Sequence, residues 1–189
     1  MAIKIESGTT SSNISVYDNT LYISPGGTAN STWVNQSGYM YISSGGTANS
    51  TTVDYGGRMY ILSGGIHRGT LQIGTDSIVS AYSGAVIDFT IRDTNAADTY
   101  LINDLSRIQG EAAYTITLQE NSVDGVYKLA QGAANFTGSV SIGNDSVVFG
   151  SITVNGSDFI YNNKCYTWRR LKQVEQGGDL VLKIRMLIA

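Results

Sequence analysis

Carboxylates are the first side chains to consider for catalysis, because two of them facing one substrate can cleave a glycosidic bond. Six aspartates are candidates for such a site: Asp54, Asp76, Asp88, Asp93, Asp98 and Asp104. Asn35 and Asp54 occupy the same position in successive copies of a repeat described below, so a neutral amide can replace the acid there. A role in a turn explains that exchange better than catalysis, which needs one unique site.

A metal site and an activated nucleophile are the other chemical options, and the sequence supplies a full ligand set for neither. Asp93, Asp98 and Asp104 share one predicted loop that could bind calcium, but the spacing of a calcium-binding loop is missing. His67 is the single histidine and Cys165 the single cysteine, which leaves no zinc set and no Cys–His–Asp arrangement. We expect His67 to be a surface residue without a catalytic role. The sequence therefore predicts no catalytic residue, no metal and no cofactor, in a protein that is not an enzyme.

Aromatic side chains are the remaining candidates, because an exposed ring offers an apolar face with a polar tip. Trp33 lies one repeat before Thr52, and a position that accepts both residues is expected on the outer surface. Trp168 and Arg169 lie in the most basic stretch, "YNNKCYTWRRLK". We interpret this stretch either as a binding patch or, preferably, as an exposed strand edge protected by its charges. The candidate binding residues are Tyr22, Trp33, Tyr41, Tyr60, Trp168 and Arg169.

A period of about 19 residues organises the first half of the chain and must position these side chains. The tyrosines at 22, 41 and 60 keep this spacing. The same interval relates three further sets: Gly27, Gly46, Gly65 and Gly84; Leu21, Met40, Met59 and Ile78; Ile23, Ile42 and Ile61. Gly8 lies one further period before the first glycine of its set. About four repeats therefore span residues 1–85.

Each repeat is too short for the helix pairs of longer repeats, and its composition favours strands. Leu21 and Ile23 alternate with Tyr22, which predicts buried isoleucines and outward tyrosines. Glycine corners with positive φ, Gly46 among them, should separate the strands, and successive coils should stack about 4.8 Å apart in parallel. Asn30 and Asn49 should then form a ladder of amide hydrogen bonds. The predicted fold is all-β, a single parallel β-solenoid of ~19-residue coils.

The repeat "YISSGGTANSTTVDYGG" resembles the short repeat of AIDA-type autotransporter adhesins, closely over residues 20–66 and loosely over 1–85. The resemblance implies an exported bacterial surface passenger, with cell adhesion and virulence as its context, whose Ser and Thr residues often carry sugars. The implied O-glycosylation acceptors are Thr28, Ser31, Thr47 and Ser50. The opening "MAIKIESGTT" contains no export signal, so we expect any such signal to lie outside this chain.

Residues 86–189 are predicted to form a second, irregular β-rich region that continues the solenoid or caps it with a hairpin. The expected strands are "YTITL", "GVYKLA", "SVSIG", "SVVFG", "SITVN", "DFIYN" and "LVLKIRM". Between residues 92 and 106 we expect a loop with a short helical turn, capped by Asp98, Asp104 or Ser106.

The charge and the distribution of apolar residues exclude several classes of function. The chain has 12 Lys and Arg against 15 Asp and Glu, so it carries no basic field for nucleic acid or an anionic membrane. No apolar run approaches the roughly 18 residues of a membrane span. We therefore expect a non-enzymatic adhesin or display stalk at the cell surface or outside the cell. Its expected partners are host or bacterial surface glycans or proteins, or further copies of itself. The alternative is a carbohydrate-active β-helical enzyme or a tailspike-like polysaccharide-binding protein.

Overall fold

A computed structural model describes residues 2–91, 99–119, 125–144, 146, 148–155, 158–162, 169–173 and 180–186. They form two compact units. Unit 1 comprises Met1–Asp88 with Arg107–Ala113, and unit 2 comprises Phe89–Ser106 with Tyr114–Ala189. The first strands are β1 (Ala2–Ile5), β2 (Thr10–Tyr17), β3 (Thr20–Ile23), β4 (Thr28–Asn35), β5 (Tyr39–Ile42), β6 (Thr47–Val53), β7 (Arg58–Ile61), β8 (Ile66–Ile73), β9 (Ile78–Ala81), β10 (Val86–Ile91) and β11 (Ile108–Gly110).

Unit 1 is the predicted parallel β-solenoid. Each coil contributes one short strand and one long strand, and the two kinds of strand form separate sheets. The short strands stack in the order β1–β3–β5–β7–β9–β11, and the long strands stack as β2–β4–β6–β8–β10. Coils 1 to 5 therefore begin at β1, β3, β5, β7 and β9, and β11 begins a sixth coil. This confirms the expected fold class and the stacking of the repeats.

The core consists of apolar columns that run from coil to coil. Ile23, Ile42 and Ile61 follow one another in register, and each is fully buried, as expected. Leu21, Met40 and Met59 form a second fully buried column on the same strands. Since each column buries the same side of every short strand, the alternate residues of those strands face outward.

The number of residues per coil is not uniform, and this changes the membership of one expected column. Ile3 pairs with Leu21, a step one position shorter than the period, whereas Met59 pairs with Val79, a step one position longer. Val79 therefore continues the methionine column, and the sequence-based placement of Ile78 in it is wrong. The extra residue enters in β8, where the pairing with β6 shifts register and Gly69 has a φ of 73°.

The long strands of coils 1 to 4 bend at their middle, at equivalent positions. Asn13, Ser31, Ser50 and Gly69 have φ values of 57°, 52°, 57° and 73°. This left-handed conformation is uncommon for residues other than glycine, and asparagine is among those that tolerate it best. The bend divides each long strand into two short straight segments, so that buried residues lie on both sides of it, as with Ala29 and Val34.

The paired glycines between short and long strands have two different tasks. The first glycine holds the positive φ: Gly45 has a φ of 75°, and a Cβ added there would meet only ordinary contacts, the nearest at 3.6 Å. The second glycine provides a close approach: a Cβ on Gly46 would lie 2.8 Å from the carbonyl oxygen of Ile23. The expectation that Gly46 holds the positive φ is therefore wrong. Likewise, the N–H of Gly8 donates to Gly26 and that of Gly64 to Gly84, so Gly8 and Gly84 belong to the column of first glycines.

Unit 2 contains β12 (Ala113–Leu118), β13 (Gly125–Ala130), β14 (Thr137–Gly143), β15 (Val148–Asn155), β16 (Asp158–Asn162), β17 (Arg169–Gln173) and β18 (Leu180–Met186). β12 pairs in parallel with β14, and β14, β15 and β16 then form an antiparallel meander. A separate antiparallel sheet has the order β13–β18–β17. Unit 2 is therefore irregular and rich in β-strands, and its role as a continuation or cap of the solenoid stays a prediction. The segments "SVVFG" and "SITVN" were expected as two strands, whereas Val148–Asn155 is a single strand.

Two local features of unit 2 are built by side chains. Tyr114 packs between Phe89 and Phe136, with ring centroids 6.2 and 4.9 Å away, and burial raises the pKa of its phenol to about 12. Asp104 precedes the 3-10 turn Leu105–Arg107 and accepts hydrogen bonds from the N–H and hydroxyl of Ser106 at 3.1 and 2.6 Å. The expected cap by Asp104 is confirmed, and Asp98 lies outside the described residues. No helix within the described ranges has the length and apolarity needed to cross a membrane.

The longer step between coils 4 and 5 predicts different costs for two isoleucines. Ile42→Ala should lower the free energy of unfolding by about 2–4 kcal/mol, because it opens a cavity in a packed column. Ile78→Ala should cost less than about 1 kcal/mol, because Ile78 is half-buried on the outward side. Urea denaturation of both variants measures the difference. Equal losses would contradict the register between coils 4 and 5.

Because the two glycines of a corner have different roles, substitutions at Gly45 and Gly46 should differ in their effect on stability. Gly45→Asn should be tolerated better than Gly45→Val, because asparagine adopts positive φ more readily than a β-branched residue. Gly46→Ala should be more destabilising than Gly45→Asn, because its methyl group collides with a backbone carbonyl that cannot move freely. Thermal unfolding of the three variants checks this order, and a Gly46→Ala variant as stable as the wild type would disprove the close approach.

Candidate binding surface

Three tyrosines form a continuous aromatic column on the outer side of the short strands. The column, called the tyrosine ladder below, consists of Tyr22, Tyr41 and Tyr60, one from each of β3, β5 and β7. The ring centroids are 5.3 and 5.0 Å apart, and each pair of rings is tilted by 12°. Tyr22 is 41% exposed, while the other two rings are half-buried. The outward placement expected from the alternation of residues is correct.

Stacking limits what the ladder can offer a ligand. The two neighbours of Tyr41 cover its ring faces, so only the ring edge and the hydroxyl group remain accessible. Partial burial and the nearby phenols of Tyr60 and Tyr22 raise the pKa of Tyr41. At physiological pH phenols are neutral, and each can both donate and accept a hydrogen bond. The ladder is a row of hydroxyl groups at the spacing of the coils rather than a set of free stacking platforms.

Two residues beside the ladder were missed at the sequence level. Tyr39 and Arg58 are register neighbours on β5 and β7, and the guanidinium carbon of Arg58 lies 5.8 Å from the centre of the Tyr39 ring. They lie two positions before Tyr41 and Tyr60, so the period of a strand places them on the same outward side. That period could have identified them. They add a cation and a further aromatic ring to the surface.

A polar column runs along the long strands. The side-chain amide of Asn49 donates to the Asn30 amide oxygen at 2.8 Å, and Asn30 donates to the hydroxyl of Ser12 at 3.4 Å. This confirms the expected asparagine ladder. In the next coils Arg68 and Asp88 occupy the same register, with Arg68 Nε and Asp88 Oδ2 4.0 Å apart. The column therefore changes from amides to an ion pair as it leaves the regular repeats.

The aspartates expected as candidate acids have different local settings within the described part of the chain. Asp88 is only 2% exposed and lies beside Arg68. Asp54 accepts a hydrogen bond from the N–H of Tyr55 at 2.8 Å, so its expected role in a turn is correct. Asp76 is an exposed turn residue with a φ of 60°. No group of three potential metal ligands occurs among the described residues, and Asp93 and Asp98 fall outside them.

The other described candidate residues of unit 1 lie on the long strands, in a different sheet from the ladder. Trp33 is 50% exposed, as expected, but it lies on β4, in the sheet of long strands. Thr28 and Thr47 are register neighbours and half-buried. Ser31 and Ser50 lie at the bend of the long strands, and Ser31 is exposed. Trp168 lies outside the described residues, and of Arg169 only the backbone in β17 is described. That strand is an edge of its sheet, as the interpretation of the basic stretch as a strand edge requires.

His67 is in the core, and its expected surface position is wrong. It follows Ala48 in register, precedes Ile87, and is fully buried. Neither ring nitrogen has a hydrogen-bond partner among the described residues, and burial lowers the pKa of the imidazole to about 4. Ala48, one period earlier, also faces inward, so the core position of His67 follows from the repeat. A charged imidazole is therefore strongly disfavoured in the folded state.

Comparison with known proteins adds one partial similarity. No protein-family model matches this chain, and no curated protein matches it. Among solved structures it is similar to the crystal structure of a TibC-catalysed hyper-glycosylated fragment of TibA, residues 55–350, with 25% sequence identity and a TM-score of 0.48. The match covers 62% of this chain and 39% of that one. The function of this chain therefore has to be inferred from its own residues.

The buried imidazole predicts acid-dependent stability. In the unfolded chain the histidine has a pKa near 6.5, whereas in the folded protein it is about 4, so the unfolded state binds the proton first as the pH falls. The contribution of His67 to the free energy of unfolding should therefore be constant well above pH 6.5. It should decrease below that pH, by about 2 kcal/mol at pH 5. Urea denaturation at pH 7, 6 and 5 measures this decrease.

The matched control is His67→Leu, which removes the only histidine of the chain from a column of apolar residues. Carboxylates titrate in both proteins, so only the difference between the two pH profiles reports on the imidazole. That difference should vanish if His67 is accessible to water in the folded state, and such a result would contradict its burial.

Proposed function

We propose that this chain is a segment of an exported bacterial surface protein of the AIDA-type adhesin class, and that it binds or displays rather than catalyses. The tyrosine ladder is the observation that carries this proposal: three equivalent hydroxyl groups follow one another at the spacing of the coils. The repeat sequence supports the assignment to this class. The protein then acts at the bacterial cell surface or in the extracellular space, in a setting of adhesion and virulence.

The ladder suits a partner that is itself repetitive. Each phenol makes at most a few hydrogen bonds, which are weak because water competes for them. Several such contacts on one rigid surface act together, since the first contact raises the local concentration of the next. Surface glycans of a host or of another bacterium offer hydroxyl groups in series, and a protein surface or a second copy of this chain could offer repeated carbonyl groups. We favour glycans, because hydroxyl groups both donate and accept, as phenols do.

Other residues extend this proposal along the same molecule. Trp33, with half of its surface exposed, would be a separate aromatic contact on the long strands, and Trp168 with Arg169 would be another in the basic stretch. Thr28, Ser31, Thr47 and Ser50 are the proposed sites of O-linked sugars. Because the repeats stack in register, sugars on equivalent residues such as Thr28 and Thr47 would lie close together and form a dense coat.

The main alternative is an enzyme that cleaves polysaccharides. Cleavage needs two carboxyl groups about 5–10 Å apart on one accessible surface. In the described part of the chain, Asp88 is buried beside a guanidinium group and Asp54 holds a turn. Asp54 and Asp88 thus have structural roles, and this favours binding over catalysis.

The proposal predicts that removing three hydroxyl groups abolishes multivalent binding. Tyr22→Phe, Tyr41→Phe and Tyr60→Phe together should preserve the stacked rings and the stability, because only the phenol oxygens are lost. Binding of the protein to surfaces coated with bacterial or host polysaccharides should fall by at least about tenfold, whereas one substitution alone should have a small effect. Biolayer interferometry at several coating densities measures both.

The matched control is Tyr17→Phe with Tyr55→Phe, which removes hydroxyl groups from two exposed tyrosines outside the ladder. This control should bind like the wild type. Unchanged binding by the triple variant would disprove the role of the ladder. Release of reducing ends from the polysaccharides, if abolished by Asp88→Asn, Asp93→Asn or Asp98→Asn, would instead establish the enzyme.

A further inference from the structure

A cavity of about 360 Å³ lies on unit 1 where β11 stacks on β9. Side chains from both coils border it: Ser80, Tyr82 and Ser83 from coil 5, and Gln109 and Glu111 from the beginning of coil 6. It is separate from the tyrosine ladder, whose three residues do not line it. Its volume is within the range of small-molecule sites, roughly 300–1,000 Å³.

The cavity exists because the corner of coil 6 is shorter than the corner below it. Glu111 donates its N–H to the carbonyl of Ala81 at 3.0 Å, and Ala113 donates to Ala85 at 2.8 Å. By the pairing of the other coils, Glu111 therefore lies next to Tyr82, and Ala113 lies next to Val86. Between these positions coil 5 has Ser83, Gly84 and Ala85, whereas coil 6 has only Ala112. Among the described residues of coil 6, none therefore pairs with Ser83 or Gly84.

The serines of earlier corners show how a complete corner packs on the one before it. In those corners a serine hydroxyl lies over the first glycine of the next coil: Ser44 covers Gly64, and Ser63 covers Gly84, since an added Cβ would meet the hydroxyl oxygens at 2.5 and 2.6 Å. Ser83 is the next member of this column, and the short corner gives it no glycine to cover. It borders the cavity instead, and the hydroxyl group can bind a ligand.

The outward column of the short strands also changes at this point. Tyr60 is followed by Ser80 and then by Gln109 in register, so two small or flexible polar side chains replace the aromatic ring. The volume that a fourth tyrosine would have occupied is open. The ladder and the corner thus both end where the cavity begins.

The chemistry of the lining points to a neutral sugar. Tyr82 is 52% exposed and offers a ring whose face can pack against the C–H groups of a pyranose. The Glu111 carboxylate accepts hydrogen bonds, the Gln109 amide donates and accepts them, and two serine hydroxyls do both, which matches vicinal hydroxyl groups. Among the described residues that line the cavity, Glu111 is the one charged group, and it would repel an anionic sugar. We propose that this cavity binds one neutral hexose unit of a glycan.

This site adds to the proposed function but does not depend on the ladder. A ladder of hydroxyl groups gains strength only from many contacts, whereas the cavity, which is open to solvent on one side, has room for a single sugar and should bind a monosaccharide. The two proposals can therefore fail separately. The triple Phe variant of the ladder should bind a monosaccharide as the wild type does.

The test uses the methyl glycosides of glucose, galactose and mannose as neutral probes, with glucuronic acid and N-acetylneuraminic acid as anionic ones. Ligand-observed NMR and titration of the whole chain measure binding. The wild type should bind at least one neutral glycoside and neither acid. Tyr82→Ala should weaken this binding by roughly tenfold, through loss of the packed ring face. Ser80→Tyr should abolish it by filling the cavity, in line with the tyrosine column.

The matched control is Tyr55→Ala, which truncates a tyrosine that is 68% exposed at another corner and should leave binding unchanged. Thermal unfolding of each variant verifies that it is folded. The proposal would be overturned if the wild type bound none of the three glycosides, if an anionic sugar bound as well as the neutral ones, or if binding survived in Ser80→Tyr.

Discussion

The hydrogen-bond register between successive coils is the constraint on which unit 1 depends. A backbone N–H must meet a hydrogen-bond acceptor. The neighbouring coil supplies it in the short strands and at the first glycine of each corner, as in the ladder from Gly8 through Gly26, Gly45 and Gly64 to Gly84. That requirement places equivalent residues directly over one another. Each side chain then contacts identical or similar side chains in the coils on either side. A residue type is therefore suited to a column only if its side chains interact favourably with one another. Isoleucines pack, asparagines exchange amide hydrogen bonds and tyrosines stack, whereas a column of equal charges would repel itself.

Most of the regular repeat could be predicted from this constraint. The isoleucine core, the outward tyrosines and the asparagine ladder follow from the period of the repeat combined with the alternation of a strand. The 19-residue period fails where a coil contains one extra residue, as between Arg68 and Leu71. The sequence alone does not show where the strand pairing resumes after such an insertion. That is why Ile78 was expected in place of Val79. The two glycines of each corner were confused for a similar reason, since only the geometry separates a positive φ from a close approach.

His67 shows a second limit of prediction from sequence. A histidine in an unknown chain is more often exposed than fully buried, and the alanine at the equivalent position of the preceding coil does not by itself reveal an inward direction. In the stacked coils, the bend at Ser31 and Ser50 determines which side of the long strand faces inward. The bend depends on the backbone φ angle, which the residue type alone does not reveal. The candidate site was predictable to the extent that it repeats. Tyr39 and Arg58 could have been added by the alternation alone, whereas the cavity beside Tyr82 required the length of one corner.

Repetition also determines what kind of function each part of the molecule can have. Where equivalent residues recur, the surface has no unique point, and a row of similar weak contacts is the binding mode that such a surface supports. A site for a single small ligand needs residues of different chemistry brought together, and within unit 1 this happens where the repeat ends. There the ladder of tyrosines gives way to Ser80 and Gln109, the corner shortens, and Glu111 introduces a charge. The loss of periodicity that closes the regular solenoid is therefore also what allows a selective pocket to form.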